Sequence, residues 1–237
     1  MMLPGLQEGF AAYGLAWDET MGQRFEQFTE ELIETNKVMN LTAITEPAEI
    51  VTKHYLDSVF PLTQSYFPQG CSVIDVGCGA GFPSVPMKIA RPDLKLTLLD
   101  SLQKRLTFLR RTVDAMGLEQ VECVHARAEE GAQKKELREQ YDVAVSRAVA
   151  NLRVLTELCC GYVKKGGYFL ALKGPNAAQE VEEAKGAIAA MGCQLEALIA
   201  APVPGTDMEH TLVVIRKVKK TNPNYPRNYG RISKKPL

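Results

Sequence analysis

The sequence lacks the motifs that hold nucleotide phosphates, zinc ions and lipid. No glycine turn ends in Gly-Lys-Ser or Gly-Lys-Thr, which excludes the P-loop of nucleoside triphosphate enzymes. The six cysteines form no Cys-x-x-Cys pair, so we predict no metal site. No apolar stretch approaches the length that crosses a bilayer, and we therefore expect no membrane partner.

We expect no secretory leader in this sequence, because no Lys or Arg precedes Arg24. Secretory signals begin with basic residues, and several of the cysteines lie in or beside apolar runs, as reduced thiols do. We therefore expect a cytoplasmic protein. The 237 residues suffice for one large domain with small extensions, and we expect a monomer.

Charge is balanced over the whole chain but unevenly distributed along it. Residues 1–60 contain ten acidic and three basic residues. Residues 216–237 contain eight basic residues and no acidic one: Arg216, Lys217, Lys219, Lys220, Arg227, Arg231, Lys234 and Lys235. This asymmetry predicts that the tail contacts a polyanion, although a solubilising extension would have the same composition. We expect the tail to be only partly ordered and to leave cofactor binding unaffected.

The most informative segment runs from residue 72 to residue 82. An apolar run that contains Asp75 is typical of a buried strand, and three glycines follow at every second position: Gly77, Gly79 and Gly81. Such a turn lets backbone approach a ligand closely, because no Cβ intervenes. A second strand, over residues 95–99, ends at Asp100, where a carboxylate can bind the hydroxyls of a ribose. Together these features predict a nucleoside site.

The spacing of the glycines indicates which nucleoside. A dinucleotide fingerprint needs a third small residue, but that position falls on Phe82 or Ser84. A nucleoside without a pyrophosphate fits better, and S-adenosylmethionine is the common one. An NAD(P)-binding oxidoreductase stays an alternative; Phe82 and the lack of a Tyr-x-x-x-Lys pair near the fourth strand argue against it.

Strand and helix patterns alternate along most of the chain. We predict helices over residues 18–39, 45–60, 102–116, 152–163 and 177–191, and strands over 72–76, 95–99, 121–125, 141–146, 168–173, 194–200 and 211–217. Gly166 and Gly167 are expected to turn the chain. The order predicts an α/β fold with parallel units first and an antiparallel pair last. We divide the chain into a helical extension (1–68), a sheet domain (69–218) and a basic tail (219–237).

Seven short strings occur in a characteristic order: Asn40–Ile44, His54–Ser58, Asp75–Pro83, Asp100–Leu102, Arg127–Glu129, Ser146–Ala150 and Ala171–Gly174. Together they resemble the RsmG family, also called glucose-inhibited division protein B, from about residue 20 to the end of the chain. The tail resembles that of the Gram-positive members. One mild departure is Cys78, at the variable position between the first two glycines.

The resemblance implies a class I methyltransferase (Rossmann-like) fold: a mixed seven-stranded sheet with helices on both faces. It implies S-adenosylmethionine as cofactor and N7 of one guanine in 16S ribosomal RNA as target, within the 30S subunit or an assembly intermediate, and no DNA partner. The cofactor residues expected from motif and resemblance are Gly77, Gly79, Phe82, Asp100, Ala128, Glu129 and Arg147. A non-catalytic RNA-binding module with a degenerate cofactor site stays a second alternative. The cofactor motif argues against it, because its residues are intact: Asp75, Gly77, Gly79 and Asp100.

Guanine N7 already carries an in-plane lone pair, so its methylation needs alignment rather than a general base. Arg147 and Lys173 lie at the predicted ends of the fourth and fifth strands and would face the substrate, where either could contact the guanine edge. An ion pair for Arg147 and a solvated strand end for Lys173 are the structural alternatives. We expect the loss of either residue to affect turnover more than folding.

His54 is the third candidate catalytic residue. It lies three residues before Asp57, so both can share one helix face. The pair could contact RNA, or it could lock the N-terminal helices onto the sheet domain. His125 and His210 have no ligand-like partner in sequence, and we expect them to be structural.

Overall fold

A mixed seven-stranded sheet forms the centre of the fold, as predicted. The computed structural model describes residues 2–147 and 149–237. The strands are β1 (Ser72–Val76), β2 (Lys95–Asp100), β3 (Val121–His125), β4 (Tyr141–Arg147), β5 (Val163–Lys173), β6 (Cys193–Pro202) and β7 (Glu209–Lys217). Their spatial order is β3-β2-β1-β4-β5-β7-β6, and only β7 runs antiparallel to its neighbours. The order reverses between β1 and β4, where ligands bind in such sheets.

Helices cover both faces of the sheet. They are α1 (Leu6–Ala12), α2 (Glu19–Met39), α3 (Pro47–Ile50), α4 (Asp57–Val59), α5 (Ser84–Ala90), α6 (Gln103–Ala115), α7 (Ala128–Gly131), α8 (Leu152–Cys159), α9 (Ala177–Ala190) and α10 (Tyr229–Lys234). Strand residues alternate between two buried clusters, with Val73 in one and Ile74 in the other. The first cluster includes residues of α1, α2, α5 and α6, and the second includes residues of α8, α9 and α10.

The single helix predicted over residues 45–60 is a helical run of several geometries. Between α3 and α4 lies a π-helical segment, Val51–Leu56, and a 3-10 turn, Phe60–Thr63, follows α4. The segment buries Tyr55 in the core, while the Lys53 carbonyl accepts a hydrogen bond from the sheet domain. π turns often occur at functional sites, and this one carries His54.

The fifth strand begins earlier than predicted, at Val163 rather than Tyr168, and α8 ends before Val163. Gly166 and Gly167 form a bulge instead of a turn, because the register with β4 shifts in this stretch. A Cβ on Gly167 would lie 2.3 Å from the carbonyl oxygen of Asp142. Glycine therefore permits the close approach that keeps the bulge within the sheet.

The basic tail docks on the sheet domain, so the expectation of a partly ordered tail is wrong. Arg227 Nε donates to Glu157 Oε1 at 2.9 Å, and Nη2 donates to Oε2 at 2.6 Å. Arg138 donates to three tail carbonyls, and Ile232 of α10 is fully buried. Charge counts did not reveal this packing, because Glu157, the buried partner, lies 70 residues before Arg227.

The N-terminal helices share a continuous hydrophobic core with the sheet domain. Phe28 of α2 lies 5.5 Å from Phe82 between ring centroids, and Tyr55 also packs against Phe82. The domain boundaries near residues 68 and 218 stay predictions. Ala148 of the motif Ser146–Ala150 lies outside the described residues. None of the described helices has the length and apolarity needed to traverse a bilayer.

Candidate active site

A cleft of about 660 Å³ opens at the carboxyl ends of β1, β2 and β3. Its walls include all seven predicted cofactor residues (Gly77, Gly79, Phe82, Asp100, Ala128, Glu129 and Arg147) together with His54. Ligand pockets commonly have about 300–1,000 Å³, so the size suits a nucleoside with a short side chain. The roles of the individual residues stay predictions.

The glycine turn forms the floor of the cleft. Gly77 and Gly79 have φ angles of 78° and 56°, in the left-handed region that side chains disfavour. A Cβ on Gly77 would lie 3.0 Å from Val149, whereas a Cβ on Gly79 would meet nothing closer than a carbonyl oxygen at 3.9 Å. The turn at Gly79 is therefore an open cradle, in which a side chain would occupy space that a ligand can use.

Asp100 joins the second strand to this turn. Its Oδ2 accepts a hydrogen bond from Gly79 N at 2.9 Å, and its Oδ1 accepts one from Leu102 N at 2.8 Å. The residue is only 3% exposed, and Arg105 approaches Oδ2 at 3.6 Å. The amides hold the carboxylate at the wall of the cleft, where it can still accept hydrogen bonds from ribose hydroxyls, since each oxygen has a second lone pair.

Asp75 is a residue that the predicted site omitted. It is fully buried in β1, where Ser84 Oγ donates to its Oδ2 at 2.5 Å and Oδ1 has no partner among the described residues. Burial raises the pKa of this carboxyl to about 7, against the lowering effect of the Ser84 hydrogen bond. Its place in Asp-x-Gly-x-Gly-x-Gly was the sequence signal that marks it.

Arg147 connects the cleft to the N-terminal helices. Its Nη1 donates to Asp57 Oδ2 at 2.8 Å and to the Lys53 carbonyl at 3.0 Å, and Nη2 donates to His54 Nδ1 at 3.0 Å. The guanidinium also lies 4.9 Å from the ring centroid of Phe82. The ion pair expected as the structural alternative therefore exists. These contacts of the described residues use Nη1 and Nη2 of Arg147 and leave its Nε–H out.

His54 is held as a neutral ring. Nδ1 lies 3.0 Å from Arg147 Nη2, which can only donate, and 3.2 Å from the Lys53 carbonyl, which can only accept and already accepts from Arg147 Nη1. The shorter contact assigns Nδ1 as the acceptor, and Nε2–H then donates to Thr42 Oγ1 at 2.8 Å. The imidazole stacks on Phe82 with centroids 4.3 Å apart. Burial, reinforced by Arg147, lowers the pKa of His54 to about 4. A neutral imidazole offers no charge to an RNA phosphate, which favours the locking role.

Asp57 binds two partners, neither of which is His54. Its second oxygen, Oδ1, lies 2.8 Å from His210 Nδ1, and His210 Nε2 lies 2.5 Å from the hydroxyl of Tyr13. The imidazole of His210 and the guanidinium of Arg147 together hold the pKa of Asp57 below its usual range, despite burial. The predicted His54–Asp57 pair is thus bridged by Arg147, and His210 fits the structural role expected for it.

Lys173 does not line the cleft with the other predicted residues. Its Nζ lies 2.7 Å from Glu180 Oε2 and donates to the Ala150 carbonyl at 3.0 Å. The side chain is 10% exposed, so the alternative of a solvated strand end is also wrong. Lys173 instead lines a neighbouring cavity of about 340 Å³, whose walls include Arg147 and Asp57. Position at a strand end could not show which cavity the side chain enters.

The sheet order, the antiparallel seventh strand and the nucleoside-sized cleft define a class I methyltransferase. A solved structure titled SAM-dependent O-methyltransferase, from Thermotoga maritima, has this fold. It superposes with a TM-score of 0.51 at 18% identity, over 81% of this chain and 73% of that chain.

The family model for rRNA small subunit methyltransferase G matches residues 21–203. Ribosomal RNA small subunit methyltransferase G of Clostridium perfringens (strain 13 / Type A) is 47% identical over 224 residues, 94% of each chain. The protein of that name from Clostridium botulinum (strain Loch Maree / Type A3) is 46% identical over 232 residues, 98% of this chain and 97% of that one. This chain belongs to the rRNA small subunit methyltransferase G family, which confirms the resemblance and sets aside the oxidoreductase alternative.

Proposed function

We propose that this protein transfers a methyl group from S-adenosylmethionine to N7 of one guanine in 16S ribosomal RNA. The observation that carries the proposal is the Asp100 carboxylate, tied to the glycine turn at the wall of a nucleoside-sized cleft that Arg147 also reaches. Family membership supplies the class of reaction and the class of RNA.

The residues of the cleft fit the cofactor. Asp100 would accept hydrogen bonds from the ribose hydroxyls. The open turn at Gly79 would let the ligand approach the backbone, and Ala128 and Glu129 would lie beside the adenine. When bound, S-adenosylmethionine supplies an electrophilic methyl group on a positively charged sulfur. The protein then has to align that group with the acceptor nitrogen and exclude water.

The carboxylates that line the described cleft are already hydrogen-bonded. Asp100 accepts from backbone amides, and Glu129 Oε1 accepts from Arg127 Nε at 2.7 Å. Both carboxylates thus have a positioning role, and an acceptor such as N7, which needs no deprotonation, requires no general base. The Nε–H of Arg147 is the donor we assign to guanine O6, and His54 and Asp57 orient the guanidinium. Lys173 would contact the substrate only through the neighbouring cavity.

We further propose that the substrate is the 30S subunit or an assembly intermediate, and that the enzyme acts as a cytoplasmic monomer. Six of the eight basic residues of the segment 216–237 are exposed, since only Lys217 and Arg227 are used inside the protein. The exposed cations can neutralise RNA phosphates.

Methylation of 30S subunits from cells that lack this protein tests the function. The purified chain and labelled S-adenosylmethionine should place the label in 16S RNA, and borohydride with aniline should cleave the RNA at one guanine, because N7 methylation makes that nucleoside labile. Label without aniline cleavage would show that another atom is methylated. No label in 16S RNA, from 30S particles, assembly intermediates or free RNA, would contradict the proposal.

Charge removal tests the role of the tail without disturbing its docking. Lys219, Lys220, Lys234 and Lys235 are exposed, and their joint substitution by glutamine should weaken 30S binding and flatten its salt dependence. The slope of log K against log salt should fall by about 0.7–0.9 for each phosphate that a lysine no longer neutralises. Lys37→Gln, on the acidic helical extension, is the control. An unchanged slope in the tail variant would indicate a solubilising tail only.

A further inference from the structure

The docked tail reaches the cofactor cleft. Tyr229, the first residue of α10, lines the same cleft as Asp100 and Glu129, although it lies at least 100 residues after them in the chain. Sequence patterns assigned the tail to RNA alone. The structure places one of its aromatic rings among the residues expected to hold the cofactor.

Several contacts fix the tail in this position. Arg227, two residues before Tyr229, donates from its backbone N and its side chain to the fully buried Glu157. Asn228 caps α10 by accepting from Arg231 N at 3.0 Å. Ile232, one turn further on, is fully buried in the core of the sheet domain. Tyr229 therefore lies between two anchors of the tail, and its position depends on both.

Tyr229 lines the cleft together with the residues expected to lie beside the adenine. Arg127 lies 4.9 Å from its centroid, and the same Arg127 is held by Glu129 at 2.7 Å. Arg127, Ala128 and Glu129 form the turn after β3, where we expect adenine to bind. Tyr229 is still 43% exposed, although it is the first residue of an anchored helix. A planar base would cover that exposed ring surface.

The geometry points to Tyr229 as a cofactor-binding residue, whose ring packs against the adenosine of S-adenosylmethionine and closes the outer wall of the cleft. The tail is then a part of the cofactor site, which is complete only when the C-terminal segment has docked. This inference rests on the proposed use of S-adenosylmethionine. It reverses the sequence-based expectation that the tail leaves cofactor binding unaffected.

Calorimetric titration with S-adenosylhomocysteine, the product form of the cofactor, tests the inference. Tyr229→Ala should weaken binding by about tenfold, the loss expected for one base–aromatic contact. Tyr229→Phe keeps the ring and should bind within about twofold of the unsubstituted chain. Lys234→Ala, exposed on the same helix and outside the cleft, is the control for general disturbance of α10.

Amide hydrogen exchange gives a readout that needs no substitution. If the ring contacts the ligand, S-adenosylhomocysteine should slow exchange over residues 229–234, because binding and tail docking stabilise each other reciprocally. Unchanged affinity in Tyr229→Ala, or a loss equal in Tyr229→Ala and Lys234→Ala, would overturn the inference and leave the proposed function intact. A full-length chain that does not bind S-adenosylhomocysteine would overturn the proposed function, and the inference with it.

Discussion

The two sides of the sheet's carboxyl edge are built in different ways. The cofactor cleft is made mainly from backbone: three glycines in a turn, and one carboxylate that binds two amides. The cluster around Arg147 is made mainly from side chains that are far apart in sequence. Arg147 and Asp57 are 90 residues apart, and Tyr13 and His210 are 197 apart. A local turn can be identified from a motif, whereas the cluster exists only once the chain has folded.

The difference also separates two tasks. A backbone turn binds any ligand of the right shape and cannot change its protonation state. The Arg147 cluster contains an imidazole and a carboxylate whose pKa values are both displaced, and it joins the helical extension to the sheet. We therefore expect damage to the first side to reduce cofactor affinity, and damage to the second to reduce turnover or stability.

The largest effect is expected from Asp100→Ala. The substitution removes the acceptor for Gly79 N and Leu102 N and for the ribose, and each hydrogen bond to a charged group contributes about 1.5–3 kcal/mol. We expect S-adenosylhomocysteine binding to weaken by at least about a hundredfold in calorimetry. Asp93→Ala is the matched control, because that carboxylate also binds a backbone amide, Gly70 N, but precedes the other end of β2. Equal affinities of the two variants for S-adenosylhomocysteine would show that Asp100 does not bind the cofactor.

Arg147→Lys tests the second side of the sheet edge, the cluster of side chains around Arg147. Lysine keeps the charge but cannot contact Asp57, His54 and the guanine together, since it lacks the planar fork. We expect the stabilisation of the transition state for 30S methylation to fall by about 2 kcal/mol, the scale of one specific contact to a guanine edge. This corresponds to a kcat/KM that is lower by about thirtyfold, whereas the affinity for S-adenosylhomocysteine should change less. Arg91→Lys, in a remote pair with Asp93, is the control. A larger loss in cofactor affinity than in turnover would assign Arg147 to the cofactor instead.

Lys173→Met is expected to act on stability. The sequence predicted that Lys173 affects turnover more than folding. In the structure, however, removal of Lys173 leaves Glu180, a partly buried carboxylate, without its cation. We expect a loss of about 2 kcal/mol in the free energy of unfolding, measured with urea. Adding Glu180→Gln should restore part of it. Lys185→Met breaks an exposed pair with Glu182 and should cost at most about 0.5 kcal/mol.

At neutral pH the smallest effect is that of His54, which appears as a pH dependence in acid. Its pKa is about 4 in the folded chain and 6.5 ordinarily, so between these values the unfolded chain binds more protons. The neutral, buried ring of His54 therefore contributes fully to the stability of the folded chain above pH 6.5, and this contribution is lost as the pH falls toward 4. Asp75 has the opposite sign, because its raised pKa of about 7 makes the folded chain bind the extra proton. The informative quantity is therefore the difference between His54→Gln and the unsubstituted chain.

That difference should change by about 3 kcal/mol between pH 6.5 and pH 4, in the direction that makes His54→Gln relatively more stable in acid. Urea unfolding at several pH values measures it. Comparison above pH 7, where His54 is neutral in both states, gives the cost of the substitution itself. A difference that does not vary with pH would mean that the ring is more exposed to water than its contacts with Phe82 and Thr42 imply.

The sequence predicted most of what depends on local pattern. The succession of strands and helices along the chain follows from the pattern of apolar runs, and the glycine turn with Asp100 follows from spacing. What it missed depends on tertiary contact. Glu157 is a buried partner that no helix periodicity marks, so the docking of Arg227 was invisible, and with it the position of Tyr229. The cavity that Lys173 enters depends on Glu180, which lies on the following helix.

The π-helical segment Val51–Leu56 behaves as a one-residue insertion in an otherwise α-helical run. Losing one residue there would rotate everything after it by about 100° relative to everything before it. His54 and Asp57 would then no longer meet the same guanidinium, although the composition and the hydrophobic content of the helix would hardly change. In this stretch the length of the chain is under stricter constraint than the identity of its exposed residues. A deletion there should be far more damaging than a substitution at Thr52.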